Sequence, residues 1–314
     1  MSRAIVADYK LLTAATLLSL FGLAMVYSAG QTDTPTAVAN VYKSQAVWLQ
    51  LLRLALASAR PQLRRGWRTA LGALYALRVY LAFALLFPFA LFTAALAKPP
   101  ATWRVGGAVC RLFLRATGIP LVMRGAERIP ATPVVLAVNH TSYLDAVVLV
   151  ALLGPRVYAF VAKREFEDNL LMRALLKGFG TFFVERFDVQ RSAEHADFLV
   201  DAARGGASIA IFPEGTLTRN TGLMAFHAGA FQVAVQSGLP VVPVALRGVR
   251  SVLRDGTWYA RRAPVVVTVC APIAPDGADW AATVRLRDRV RADILKHCGE
   301  PDLAPVGKTE EVSS

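Results

Sequence analysis

The strongest candidate for chemistry is a histidine that is followed, five residues later, by an aspartate, in the segment NHTSYLD at residues 139–145. A histidine side chain has an ordinary pKa near neutrality, which suits His140 to act as a general base for a hydroxyl group. A carboxylate on the second ring nitrogen, such as that of Asp145, would orient the ring. On one continuous helix the two side chains would point about 140° apart, so the pair requires His140 in a turn before the helix. The alternatives are a helix-capping role for Asp145 with Ser142 and a buried structural histidine, and Asp145 can combine both roles.

A second candidate is the segment FPEGTLTR at residues 212–219, which follows a short apolar run. Gly215 permits a positive φ angle or a close approach of the backbone to a ligand. The N–H groups of such a turn, together with Thr216 and Arg219, would cradle an anion. The alternative is that the segment around Glu214 forms only a turn between a strand and a helix.

Two basic side chains also end apolar runs. Arg186 closes the segment GTFFVER at residues 180–186, and its planar guanidinium would suit a phosphate, although a salt bridge is the simpler explanation of an isolated arginine. Lys163 is either a phosphate ligand or a solvated charge at the start of a helix. The segment LPVVPVA at residues 239–245 carries no reactive side chain and predicts a rigid apolar wall.

All of these segments follow predicted strands in a region where short β-branched runs alternate with helical stretches. The predicted strands are Pro133–Val138, Val157–Ala162, Thr181–Glu185, Ser208–Phe212, Val241–Leu246 and Val265–Val269. The predicted helices are Ser142–Leu152, Glu165–Lys177, Ser192–Ala203, Ala225–Ser237 and Asp279–His297. This order predicts an α/β fold, with a mostly parallel central sheet flanked by helices. Functional side chains are expected at the carboxyl ends of its strands.

The order of the motifs is more specific than any single motif. The patterns Asn-His-x4-Asp, Gly-x-x-Phe-x-x-Arg, Phe-Pro-Glu-Gly-Thr-x-x-Arg and Val-Val-Pro-Val follow one another. Over residues 80–275 the chain resembles the glycerolipid acyltransferase superfamily, and within it the 1-acylglycerol-3-phosphate acyltransferases. The resemblance implies that His140 is the catalytic base and that Asp145 orients it. It also implies a set of substrate-binding residues, namely Lys163, Gly180, Arg186, Glu214, Gly215, Thr216, Arg219 and Pro243.

The same resemblance implies a reaction. An acyl chain would pass from acyl carrier protein or coenzyme A to the sn-2 hydroxyl of lysophosphatidic acid, giving phosphatidic acid, with no metal and no cofactor beyond this thioester co-substrate. Two alternatives stay open, namely the same chemistry on another lyso-acceptor such as lyso-ornithine lipid, and a non-catalytic scaffold that binds anionic membrane lipids. We expect no nucleic-acid partner, because no nucleic-acid-binding module is recognisable.

Composition points to a membrane surface. Hydrophobic residues make up 55% of the 314 residues and charged residues only 18%, with a mean hydropathy of +0.43, which excludes a disordered chain and an ordinary soluble enzyme. Of the net charge of +13, most lies early, since the first 100 residues hold 10 of the 35 basic but 2 of the 22 acidic residues. Basic residues interleaved with Leu, Ala and Trp favour an anionic membrane as partner. The scattered cysteines exclude a disulfide framework and indicate a reducing compartment, namely Cys110, Cys270 and Cys298.

Two uncharged runs predict transmembrane or interfacial helices near the N-terminus. Leu11–Thr32 has 22 residues, and Val79–Ala97 has 19 and contains Pro88. The arginine-rich stretch between them, residues 41–78, should not span, because an arginine near the bilayer centre costs about 2.5–3.5 kcal/mol. Its arginines favour the cytoplasmic side, so we expect Val79–Ala97 to enter one leaflet and return or to lie shallow. The predicted location is the inner, cytoplasmic membrane, with the catalytic domain facing the cytoplasm.

These observations divide the chain into four regions. They are an N-terminal transmembrane segment at residues 1–50, basic amphipathic and membrane-associated helices at 51–118, the acyltransferase domain at 119–300 and a disordered tail at 301–314. Residues 8–50 also weakly resemble the first membrane helix of the rod-shape and cell-division polytopic proteins. A fused fragment is therefore one interpretation of the first region.

Overall fold

The computed structural model describes residues 41–154, 156–184, 189–257 and 259–304, and for some helical residues it describes only the backbone. The predicted span Leu11–Thr32, the candidate Arg186 and the end of the tail, residues 305–314, lie outside the described residues. The chain divides into two compact units, one ending at Leu71 and the other beginning at Gly72.

A long helix, α1, runs from Val41 to Leu96. Its part Thr69–Leu96 is, among the described residues, the one helix long and apolar enough to cross a membrane by length and composition. Pro88 lies inside this helix and does not end it. The predicted segments 41–78 and Val79–Ala97 are thus parts of one helix.

After α2 (Pro99–Thr117), strands and helices alternate. The strands are β1 (Leu121–Arg124), β2 (Val135–Val138), β3 (Ala159–Lys163), β4 (Phe182–Val184), β5 (Ile209–Ile211), β6 (Val241–Arg247) and β7 (Val265–Val269). The helices are α3 (Asp145–Leu153), α4 (Leu170–Gly178), α5 (Val189–Arg204), α6 (Gly229–Ser237), α7 (Val249–Val252) and α8 (Trp280–Cys298). This alternation confirms the predicted α/β fold.

Within the described residues the strands form one sheet in the order β1-β7-β6-β2-β5-β3-β4. Every neighbouring pair is parallel except β6 and β7, where Ala245 lies opposite Thr268 in an antiparallel register. The sheet is therefore mostly parallel, as predicted. The sequence did not predict β1, which has four residues and pairs with β7 at the edge of the sheet.

Helices cover both faces of the sheet. Leu136 of β2 belongs to a core shared with α2 and α3, whereas its neighbours Val135 and Ala137 belong to a core shared with α6 and α8. This alternation is the two-residue period of a strand buried on both sides. Trp103 fixes α2 to the first core, because its fully buried indole donates a hydrogen bond to the Phe179 carbonyl at 3.0 Å.

Three helices begin at least three residues later than predicted, among them α6, which begins at Gly229 rather than at Ala225. Helix α3 begins at Asp145 rather than at Ser142, because the intervening residues form a turn. The predicted helix from Glu165 divides into a 3-10 turn, Arg164–Glu167, and α4. Asn169 separates the two, because its side chain accepts hydrogen bonds from the first N–H groups of α4, which is an N-cap.

The predicted disorder after Glu300 does not extend to the next residues. The N–H group of Leu223 donates to the Pro301 carbonyl at 2.8 Å, and the N–H group of Leu303 donates to the Leu223 carbonyl at 3.0 Å. An ion pair between Arg291 and Asp302 adds to these backbone bonds. Residues 301–303 are thus fixed beside the loop that contains Leu223.

Candidate active site

The turn that carries His140 begins at the carboxyl end of β2 and is fixed there by Asn139. The fully buried Asn139 side chain accepts a hydrogen bond from the Leu246 N–H at 2.7 Å and donates one to the Leu246 carbonyl at 3.0 Å. These bonds extend the pairing of β2 with β6 by one step through a side chain. The chain therefore leaves the sheet at a fixed place, immediately before His140.

His140 and Asp145 form a hydrogen-bonded pair across this turn. His140 Nδ1 lies 2.8 Å from Asp145 Oδ2, and Asp145 is fully buried in the first turn of α3. The same carboxylate accepts the N–H groups of Thr141 at 2.6 Å and Ser142 at 2.8 Å. Because a carboxylate that accepts these bonds also accepts from the ring, Nδ1 carries the proton and Nε2 is the basic nitrogen. Asp145 thus orients the imidazole and fixes the turn before α3, whereas α3 itself begins at Asp145 without a side-chain cap hydrogen bond, so the predicted capping role is not found.

The second motif supports the same turn from the neighbouring strand, β5. Glu214 accepts the His140 N–H at 2.6 Å through Oε1 and the Met224 N–H at 3.0 Å through Oε2. The Phe212 ring stacks on the His140 imidazole, with ring centres 4.3 Å apart. Burial raises the pKa of Glu214, and the two backbone hydrogen bonds and the nearby His140 partly oppose this rise. Through these hydrogen bonds Glu214 orders its own loop and the histidine turn. A direct contact of Glu214 with substrate stays a prediction.

The anion-binding candidates of the same motif are much more open. Gly215 has a φ angle of 79° and its N–H group donates to the Phe212 carbonyl at 3.0 Å, which reverses the chain direction. Thr216 is exposed. The Arg219 side chain is 73% exposed, with its Nε 4.0 Å from Asp255 Oδ2. An anion can therefore reach both Thr216 and Arg219 from solvent.

The remaining predicted substrate ligands are placed differently from one another. Lys163 ends β3 next to β5, lies opposite Val184 and is half-buried, whereas Arg186 lies outside the described residues. Gly180 follows α4, has a φ angle of 77° and precedes the edge strand β4, so it lies at the amino end of that strand, whereas His140 follows the carboxyl end of the central strand β2. Pro243 is buried inside β6, opposite Ala137. The roles of all these residues in binding stay predictions.

Among the described residues, no group of three or more His, Cys, Asp or Glu side chains is arranged to hold a metal ion. The site instead combines a basic nitrogen, a buried carboxylate that orients it and an open loop with a guanidinium. Such an arrangement can remove a proton from a hydroxyl group beside a bound anion.

Comparisons with known proteins agree with this geometry. The family model described as Acyltransferase matches residues 121–247. A protein named "Probable 1-acyl-sn-glycerol-3-phosphate acyltransferase" from Mycoplasma pneumoniae is 29% identical over 141 residues, 44% of this chain and 53% of that protein. A relative from Mycoplasma genitalium with the same name is 32% identical, and the match covers 52% of it. The chain thus spans about half the length of these relatives.

A plant relative is matched over more of its length. The 1-acyl-sn-glycerol-3-phosphate acyltransferase of Limnanthes alba is 32% identical over 212 residues, which cover 65% of this chain and 71% of that protein. The chain belongs to the glycerolipid acyltransferase superfamily. The fold agrees as well, because the crystal structure of the 1-acyl-sn-glycerophosphate acyltransferase PlsC from Thermotoga maritima superimposes with a TM-score of 0.60 at 19% identity. That match covers 73% of this chain and 97% of the other.

In this member of the superfamily, several contacts at the site were not predicted from the sequence. The stacking of Phe212 on His140 and the bond from Glu214 to the His140 N–H join two motifs that are far apart in the chain. Tyr143 donates a hydrogen bond to Asp255 at 2.5 Å, although no motif includes Asp255. The available sequence signal for the first two contacts was that both motifs follow predicted strands of a mostly parallel sheet. No local pattern indicated the third.

Proposed function

We propose that this acyltransferase transfers an acyl chain from an acyl thioester to the sn-2 hydroxyl of 1-acylglycerol-3-phosphate, giving phosphatidic acid. One observation carries the proposal, namely that the His140–Asp145 pair is bonded through Glu214 to the loop that presents Arg219. That arrangement brings a base and an anion-binding side chain to the carboxyl ends of neighbouring strands. The printed names of the relatives support the same acceptor.

The chemistry assigns one step to each group. The acceptor hydroxyl gives its proton to His140 Nε2 while its oxygen attacks the thioester carbonyl carbon. The resulting oxyanion takes hydrogen bonds from N–H groups of the turn at residues 214–216 other than that of Gly215, which already donates to the Phe212 carbonyl. The C–S bond then breaks, the thiolate of coenzyme A or of the acyl carrier protein takes the proton back from His140, and the ester is complete. No covalent acyl-enzyme forms and no metal takes part.

The acceptor phosphate is bound by the basic and hydroxyl side chains around the base. Thr216 and Arg219 lie on the open loop, and Lys163 lies at the end of the neighbouring strand β3. Arg186 completes this set, and the Val242–Val244 stretch lines the path of the acyl chain. A phosphate among several cations is held by charge-assisted hydrogen bonds, which are stronger than neutral ones.

The membrane supplies the acceptor and receives the product. The helix Thr69–Leu96 is apolar enough to associate with a bilayer, and it displays exposed leucine and phenylalanine side chains. An acyl thioester of coenzyme A or acyl carrier protein is cytosolic, so the catalytic domain faces the cytoplasm at the inner membrane. Attachment to the surface lets the site sample lyso-lipids within the plane of the membrane.

The test is an assay of the full chain in detergent micelles. Equal amounts of lysophosphatidic acid, lysophosphatidylcholine and lyso-ornithine lipid are offered with acyl-CoA or acyl carrier protein thioester, and products are separated by mass. We expect phosphatidic acid with the acyl chain at sn-2, and none from a His140→Ala protein. Acylation of lyso-ornithine lipid alone would replace the acceptor in this proposal. Binding of anionic vesicles without any acyl transfer would support a scaffold instead.

A further inference from the structure

A segment that no motif includes connects the two halves of the site. This clasp segment, Arg250–Gly256, follows β6, whose carboxyl end lies beside that of β2. On one side it holds the histidine turn, since Ser142 Oγ donates to the Leu253 carbonyl at 2.6 Å and the Tyr143 hydroxyl donates to Asp255 Oδ1 at 2.5 Å. The bond to Asp255 raises the pKa of Tyr143, so its hydroxyl stays protonated and remains the donor.

On its other side the clasp segment holds the anion loop. Arg250 Nη1 donates to the Thr218 carbonyl at 3.1 Å, and Arg254 Nη2 donates to the Arg219 carbonyl at 2.9 Å. Arg250 is itself fixed, because its Nε lies 2.9 Å from Glu300 Oε1 and both side chains are nearly buried. The backbone that carries Arg219 is therefore attached to a rigid support.

The Arg219 side chain then lies directly on this support. Its guanidinium passes over Gly256, and a Cβ atom built on Gly256 would overlap the Nε, Cζ and Nη2 atoms of Arg219. Gly256 has a φ angle of 68° in a turn closed by the bond from the Thr257 N–H to the Arg254 carbonyl at 3.1 Å. Asp255 Oδ2 lies 4.0 Å from Arg219 Nε. The Arg219 guanidinium therefore occupies the space that a side chain at Gly256 would fill, next to the Asp255 carboxylate.

We propose that Gly256 and Asp255 are positioning residues that hold the Arg219 guanidinium for the acceptor phosphate and thereby set the affinity for the acceptor. The proposal rests on the proposed function, because it takes Arg219 to be a phosphate ligand. Gly256 leaves the space that the guanidinium occupies. Asp255 holds the Nε edge and leaves the Nη groups free to form paired hydrogen bonds with a phosphate. The contact with Asp255 is long and partly exposed, so it orients Arg219 without competing strongly with a phosphate.

The main experiment adds a side chain beneath Arg219. Gly256→Ala adds a Cβ and backbone strain, whereas Gly256→Asn adds a Cβ with less strain, because asparagine tolerates a positive φ. Gly238→Ala is the matched control, because Gly238 has a φ of 72° and no atom lies within 4 Å of its added Cβ. KM is measured separately for lysophosphatidic acid and for the thioester. Competitive inhibition by glycerol 3-phosphate reports phosphate binding without the lipid chains.

We expect both Gly256 variants to raise the acceptor KM and the inhibition constant of glycerol 3-phosphate about tenfold, the size expected when a charged hydrogen bond is lost. The thioester KM and kcat should change little, and Gly238→Ala should change neither KM. In an Arg219→Ala background the Gly256→Ala change should have no further effect on the acceptor KM. Thermal unfolding of each variant separates a lost contact from a lost fold.

Asp255→Asn tests the role of Asp255, because asparagine keeps a hydrogen-bond acceptor for Tyr143 but removes the charge beside Arg219. We expect the acceptor KM to rise about two- to fivefold, as for a partly exposed ion pair. An unchanged or lower KM overturns the role of Asp255. If wild-type protein acylates lysophosphatidic acid but Gly256→Asn changes its KM no more than Gly238→Ala does, the role of Gly256 is overturned. If wild-type protein does not acylate lysophosphatidic acid, the proposed function itself has failed.

Discussion

The two loops of the site follow neighbouring strands, β2 and β5, and yet they are built in opposite ways. In the histidine turn, Asp145 is fully buried and His140 is bonded through both its ring and its backbone N–H. In the anion loop, by contrast, the Arg219 side chain is 73% exposed. The first loop is fixed before any substrate arrives, and the second is open to receive one.

This difference has a chemical reason. A general base works only if its basic nitrogen already points at the proton, so the cost of orienting the imidazole is met during folding. A phosphate ligand must instead be reached from solvent, so the Arg219 side chain stays largely exposed while the clasp segment positions it from beneath. Substitutions in the first loop should therefore lower kcat, whereas substitutions in the second should raise the acceptor KM.

The largest effect is expected from removing the base. His140→Ala should lower kcat by about 10²–10⁴-fold, the range typical of a positioned general base, with little change in the acceptor KM. Initial rates at saturating acceptor and thioester measure this directly. Thermal unfolding of the His140→Ala protein separates loss of the base from loss of the fold. A His140→Ala protein that retains more than about a tenth of the activity would contradict the role of His140 as base.

Removing the orienting charge should come next. Asp145→Asn keeps the size of the side chain but turns an acceptor-only group into one that also presents an NH2 group to the N–H groups of Thr141 and Ser142. The ring loses its preferred orientation and proton position, so we expect kcat to fall about 10²-fold. Because the buried carboxylate also accepts the two N–H groups that fix the turn before α3, the fold should lose about 1–3 kcal/mol of stability. Kinetics and denaturant unfolding of the same variant measure the two effects, and a kcat unchanged beside a lower stability would leave Asp145 with its structural role in the turn alone.

Much of the first loop was predictable from the sequence, because its signals are local. The apolar run before Asn139 predicts a strand, and the aspartate five residues after His140 requires a turn before the helix, as found. Each of these signals lies within about ten residues of the others. The α/β alternation then places the ends of parallel strands together.

The contacts that join the loops to the clasp segment were not predictable in this way. Asp255 and Tyr143 are 112 residues apart, and neither belongs to a repeated spacing or a charged run that would mark them as partners. Their contact depends on β6 lying beside β2 and on the path of the chain after β6. The antiparallel direction of β7 and the short edge strand β1 depend likewise on long-range packing. Local sequence patterns do not indicate such long-range pairings.

Substitutions of Arg219 in the open loop should change the acceptor KM rather than kcat. Arg219→Ala should raise the acceptor KM about tenfold or more, and Arg219→Lys should raise it less, because lysine keeps the charge but loses the planar fork. The thioester KM should not change in either variant. Steady-state kinetics with each substrate varied in turn make the measurement. An Arg219→Ala protein with a lower kcat and a normal acceptor KM would contradict the claim that the first loop governs kcat and the second governs acceptor binding.

The smallest effect concerns Glu214, which joins the loops. Burial raises its pKa above the ordinary value of 4.5, so the folded state holds the proton more strongly than the unfolded state does. The stability due to this proton is complete below about pH 4.5 and is lost as the pH rises through the folded value. Glu214→Gln removes this titration, although it also costs about 1–3 kcal/mol because an amide offers one acceptor to the N–H groups of His140 and Met224.

The free energy of unfolding of wild-type protein minus that of the Glu214→Gln variant should therefore decrease with rising pH. The total decrease should be roughly 1.4 kcal/mol for every pH unit by which the pKa of Glu214 in the folded protein exceeds that in the unfolded chain. Denaturant titrations at about pH 4, 5, 6 and 7 would test this. A difference that stays constant or increases would show that burial does not disfavour the charged form of this carboxyl group.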